Sequence, residues 1–128
     1  MAIRIKRLGS ARDTDEGVRI GTVRRPPRGV RKEEFSTKNF YDVWFPNLAP
    51  SQILLKELFP IADDNDWKVF KRRFIAEMKQ PGAAHDLDLL AALSYTTNFS
   101  IGCYCEDESR CHRSILRELL EIRGARIK

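Results

Sequence analysis

Residues 99–127 constrain the fold more tightly than any other part of this chain. Residues 99–104 read as a short strand, 105–110 as a polar loop, and 111–123 as a helix carrying Ile115, Leu116, Leu119, Leu120 and Ile122. Gly124 suits the C′ position of that helix, and residues 125–127 read as a final strand. A strand–helix–strand unit needs a crossover connection, expected to be right-handed with parallel strands. The expected fold is therefore α/β: a small, mostly parallel sheet with packed helices and a Rossmann-like strand–helix–strand unit at its C-terminal end.

The rest of the chain extends this pattern. Residues 2–7 and 18–23 alternate apolar and polar side chains and predict strands, with Pro26, Pro27 and Gly29 making residues 24–29 a loop. Aromatic and branched residues crowd 40–45, predicting a short buried strand or a packed loop. Ser51 is the expected N-cap of a helix over 52–59 that Pro60 stops. Asp66 is the expected cap of the next helix, 67–79, whose Trp67, Phe70, Phe74 and Met78 form one apolar stripe. Lys68, Lys71, Arg72 and Arg73 fall off that stripe and read as solvated. Pro81 and Gly82 are expected to end it, and a third helix, 84–95, to bury Leu87, Leu90 and Leu93. Trp44 and Trp67 are expected in the core, and His85 on the surface or as a cap.

A chain of 128 residues is one domain by size, taken as 1–128, with no repeat or linker. No apolar run approaches the ~18 residues of a membrane span, and the N-terminus has no apolar stretch that would make it a signal peptide. Three cysteines confined to 103–111 do not make a secreted disulfide scaffold, so a cytoplasmic location is expected. The net charge of +5 is uneven: residues 1–32 carry a balance of +7 and residues 33–128 one of −2. That basic third fits a small anionic ligand or nucleic acid, or simply a solvated face of arginines on a hairpin and its loop.

The chemistry concentrates between Cys103 and Arg113. In open α/β sheets ligands sit at the carboxyl ends of strands, beside the N-termini of following helices. Cys103 ends a strand there, and Cys111, His112 and Arg113 open the next helix, where unpaired amides favour anions and thiolates. In one reading Cys103 or Cys111 is a thiolate of lowered pKa, His112 exchanges a proton, and Arg113 grips phosphate or carboxylate. The intervals from Cys105 and Cys103 to Arg110 do not match a cysteine-phosphatase loop. In a second reading Cys103, Cys105, Cys111 and His112 bind zinc, although this spacing lacks paired two-residue knuckles and the adjacency of Cys111 and His112 strains tetrahedral ligation. A third is a redox pair among the thiols, and a fourth treats the cysteines as small buried hydrophobes. Glu106, Asp107 and Glu108 complement the helix dipole or supply a general base.

Four blocks of this chain resemble the YeaO-like family, domain of unknown function 488. Gly17, Arg19, Arg24, Pro27, Arg28 and Gly29 match the first, in which Val23 and Pro26 stand where the family usually has Asp and Trp. Trp44 with residues 48–51 matches the second, and Asp66, Trp67, Phe70, Lys71, Arg73 and Phe74 the third. Cys103, Cys111, His112 and Arg113 match the fourth, with Cys105 at the family's usual Glu position and Glu106 one step later. The resemblance implies that Arg24 and Arg28 share one site with the Cys–His–Arg segment, and leaves the reaction open. The expected function is an enzyme or ligand-binding domain for a small anionic compound, a nucleotide-derived one being among the candidates. Cys103, Cys111, His112 and Arg113 form its reactive group, and Arg24, Arg28 and Ser109 bind ligand. The alternatives are a nucleic-acid-binding accessory protein and a zinc-stabilised module. No cofactor is required, zinc being the alternative, and no membrane partner is expected.

Overall fold

The structure, a computed structural model, describes residues 1–128. Four strands form one sheet: β1 (Ile3–Arg7), β2 (Val18–Gly21), β3 (Val43–Trp44) and β4 (Phe99–Cys103). Their order is β1-β4-β2-β3, and every neighbouring pair is parallel. Phe99 is in register with Ile3 on one side and Val18 on the other. The hairpin reading of the N-terminal arginines is therefore overturned. β4 inserts between β1 and β2, and parallel strands cannot be joined by a tight turn. Beyond the last helix, Ile127 makes a single parallel bridge to Ile3 rather than a full strand.

Four helices, α1 (Gln52–Leu58), α2 (Asp64–Met78), α3 (Pro81–Leu93) and α4 (His112–Ile122), complete the fold. Ser51 caps α1 as expected, its hydroxyl accepting from the Leu54 N–H at 3.1 Å. The cap of α2 is Asp63 rather than Asp66: its carboxylate accepts from the Asp66 N–H at 2.8 Å. Starting there places Asp64 and Asp66 in the first turn, where the helix dipole favours acids. Pro81 opens α3 instead of only ending α2, because its fixed φ and missing N–H suit a first helical position. After α4, Gly124 takes a left-handed conformation at φ +78°, and the amides of Gly124 and Ala125 close on the carbonyls of Glu121 and Leu120. No helix is long and apolar enough to cross a membrane.

Strand alternation divides the sheet into two faces. Ile3, Ile5, Ile20, Phe99 and Ile101 join side chains from all four helices in one core, with Leu54, Phe70, Phe74, Leu87, Ile115, Leu116 and Leu120 at its centre. Trp67 packs against this core as expected. Trp44 does not: it lies on edge strand β3, 44 % exposed, its indole N–H donating to the Val23 carbonyl. The opposite face carries Arg4, Arg19 and Ser100, all buried. There Arg19 donates to both oxygens of Glu16, at 2.7 and 3.0 Å, and to the carbonyls of Ser10 and Asn39. Glu16 also accepts from the Ser100 hydroxyl and the Asp13 N–H. This network fastens the 8–17 segment over a sheet face that has no helix on it.

Candidate functional site

β2 and β4 run side by side and end together, so the segments leaving them share one edge of the sheet. The first enters the 24–29 loop and the second the 104–110 turn. Tyr104 ties them together, its hydroxyl donating to the Arg25 carbonyl at 2.9 Å. A cavity of about 770 Å³ opens between them, lined by Arg24, Arg25, Arg28, Cys103, Cys105 and His112 among others. The two loops, expected to share one site, border one space. Phe40, Phe59 and Tyr104 add aromatic surface to its walls.

At the edge of this cavity Cys103 and Cys111 are joined as a disulfide, both nearly fully buried, which leaves Cys105 as the free cysteine. His112, the first residue of α4, is buried between the Phe74 ring, 5.6 Å away centre to centre, and the Thr22 carbonyl. A carbonyl only accepts, so Nε2 carries the proton and Nδ1 turns its lone pair toward Cys111 Sγ at 3.9 Å. Burial holds the imidazole at about 4, below its ordinary value, against the opposing effect of the Thr22 hydrogen bond. His112 is therefore neutral at pH 7. Burial likewise pushes the Cys105 thiol up, although Arg113 and Arg7 pull the other way.

The other expected site residues separate by what they hold. Arg24 donates to the carbonyls of Pro46, Ala49 and Pro50, fixing the wall of the cavity that leads into α1. Arg113 is buried and donates to the carbonyls of Cys105 at 3.0 Å and Glu106 at 3.5 Å, bracing the turn after β4. Ser109 is exposed and engaged with Asp107, which accepts from both its hydroxyl and its N–H. Of the neighbouring acids, Glu106 pairs with Arg7 and Glu108 with Arg117. Cys105 stands outside the Cys103, Cys111 and His112 group, so the four-residue ligand set expected for zinc is not assembled.

The basic third of the chain resolves in the same way. Arg4, Lys6, Arg7, Arg12 and Arg19 are each paired with an acid, and Arg24 is taken by carbonyls. Arg25, Arg28, Arg31 and Lys32 have no ion pair; Arg25 and Arg28 line the cavity, and Lys32 borders a neighbouring hollow with Pro26. Sequence reasoning passed over Arg25 and Tyr104. Their only signals were position, one beside Arg24 in a proline-rich loop and the other between two cysteines.

Fold and site define a small parallel α/β domain with a cysteine–histidine turn and a cationic loop at the carboxyl edge of its sheet. The chain belongs to the DUF488-N3a family, described as the active DUF488-N3 subclade, whose model matches residues 3–124. Comparison with curated proteins and with solved structures gives no match.

Proposed function

We propose that this protein is an enzyme, or a ligand-binding domain, for a small anionic, nucleotide-derived compound held between the 24–28 loop and the 103–105 turn. The reading is carried by one arrangement: unpaired cations, aromatic walls and a cysteine–histidine group border the same cavity. Arg25 and Arg28 offer guanidinium forks to a phosphate or carboxylate. Phe40, Phe59 and Tyr104 supply the flat apolar surface on which a base or other ring packs. Cys103 and Cys111, once their disulfide is reduced, are the reactive group with His112, and Arg24 and Arg113 hold the two walls in place.

Equilibrium binding of adenosine monophosphate, adenosine and inorganic phosphate tests this. The nucleotide is expected to bind more tightly than either part alone. Arg28→Ala is expected to weaken the nucleotide about tenfold, as loss of a charge-assisted hydrogen bond would, while adenosine is unaffected. No saturable binding of any of the three, or an Arg28→Ala variant that binds the nucleotide normally, overturns the reading. The run of unpaired cations from Arg25 to Lys32 also suits a nucleic-acid backbone. If Arg28→Ala instead lowers duplex affinity and reduces the salt slope by about 1, the accessory-protein reading replaces this one.

A further inference from the structure

We propose that Cys103, Cys111 and His112, in their reduced form, bind a soft divalent cation, zinc foremost, with one coordination position open to the cavity. The ligand set stands on its own geometry; only what the open position faces rests on the cavity reading above. The three ligand atoms lie within 4.8 Å of one another, and all three residues are buried. The Thr22 carbonyl holds the far nitrogen of His112 and turns Nδ1 inward, which is how ligating histidines are commonly oriented toward a metal. Tetrahedral zinc with bonds of about 2.3 Å to sulfur and about 2.05 Å to nitrogen puts those ligand atoms about 3.6 Å apart. Cys111 Sγ and His112 Nδ1 are 3.9 Å apart. The adjacency that argues against ligation in the sequence is therefore no obstacle.

The backbone spacing of the cysteines agrees. Their Cα atoms are 7.7 Å apart, beyond the roughly 4.4–6.8 Å that disulfides usually span. Two thiolates on one zinc stand about 3.8 Å from each other, a separation that side-chain rotation reaches without drawing the backbone closer. A phosphine reductant gives two electrons to the disulfide and leaves as its oxide, carrying the oxygen of a water whose two protons make the pair two thiols. Metal uptake then releases those two protons. Two thiolates, a neutral imidazole and a dication sum to zero charge, the condition under which an ionic group tolerates burial. Unpaired amides at the start of α4 and the nearby Arg113 favour the thiolate form.

Cys103 and His112 also line the cavity, so the fourth position faces it. Three protein ligands and one open position is the pattern of catalytic rather than structural zinc.

The test uses the full chain, reduced with a phosphine, stripped with a chelator, and titrated with cobalt(II) and then zinc. Equimolar cobalt is expected to bind with tetrahedral visible bands and a thiolate-to-cobalt charge-transfer band, and zinc to displace it. Cys105→Ser is expected to leave the titration unchanged, whereas Cys111→Ser and His112→Ala each weaken it by about 100-fold or more. X-ray absorption on the unmutated zinc form guards against variants that do not fold. It should show two sulfurs at about 2.3 Å with nitrogen or oxygen completing the shell. Absence of stoichiometric metal, a three-sulfur shell, or a Cys105→Ser variant as impaired as Cys111→Ser overturns the proposal. A reduced chain that takes no metal yet binds adenosine monophosphate refutes this inference and leaves the cavity reading standing. One that binds cobalt and no nucleotide supports this inference and refutes that reading.

Discussion

Replacing Glu16 by Gln tests whether the helix-free face of the sheet depends on its buried ion pair. Glu16 and Arg19 are 1 % and 0 % exposed, and the guanidinium has no other carboxylate within reach. Burial raises the Glu16 carboxyl, but hydrogen bonds from Arg19, Ser100 and the Asp13 N–H outweigh it and hold the group at about 2, against an ordinary 4.5. At 1.36 kcal/mol per pH unit, that difference is worth about 3 kcal/mol. Breaking a buried pair from one side costs a similar ~3–5 kcal/mol, because a charge is left uncompensated. The expected loss for Glu16→Gln at pH 7 is thus about 3 kcal/mol, or roughly 10 °C in Tm for a chain of this size. The carboxylate is favoured by folding, so its contribution is complete above about 4.5 and disappears as pH falls toward 2. Urea denaturation of wild type and variant at matched pH isolates this residue from the other carboxylates. The gap should be widest near neutrality and should narrow below about pH 4.5. A gap under about 1 kcal/mol, or one that does not change with pH, refutes the reasoning.

Three further outcomes are expected. Gly102→Ala would set a Cβ 2.6 Å from the Lys6 carbonyl oxygen and 2.8 Å from Leu8 Cδ2; thermal denaturation should show a loss of about 1–3 kcal/mol. Proton NMR of the imidazole should show His112 neutral throughout pH 6–8. Its folded value of about 4 lies below the ordinary 6.5, so its contribution to stability is whole above 6.5 and lost as pH falls through 4. Arg113→Met should leave the Cys105 and Glu106 carbonyls without their donor, speed amide exchange across 105–110, and cost about 1–3 kcal/mol.

The parts of the fold legible in the sequence were those with a strong local signal. The strand at 99–103, the helix after it and Gly124 read correctly because apolar spacing and a left-handed glycine act within a few residues. Errors arose where local signals compete. Four consecutive residues from Asp63 to Asp66 each offer a capping oxygen, and Pro81 serves as readily to start a helix as to stop one. Trp44 was assigned to the core by its size, but an edge strand leaves one flank open. Arg19 was counted with a solvated basic face because its partner Glu16 is recognisable only once the 8–17 segment folds back over the sheet. The Cys103, Cys111 and His112 segment was readable as a site. Which of its cysteines meet was not, since that depends on where β4 ends relative to the first turn of α4.

The placement of β4 between β1 and β2 also sets the timetable of assembly. Ile3 and Val18 both take Phe99 as partner, so β1 has no neighbour, and β2 only the two-residue β3, until the chain has been made past residue 103. Helices α1 to α3 draw on local sequence and are free to form sooner, whereas β4 must close loops of about eighty residues and more onto β1 and β2. On the ribosome β1 emerges with both edges unpaired and β2 with one, open to mispairing with other chains for as long as translation of the middle region lasts. When β4 arrives it joins both at once and carries Cys103 at its end, so completion of the sheet and delivery of the sulfur to the cavity are a single step.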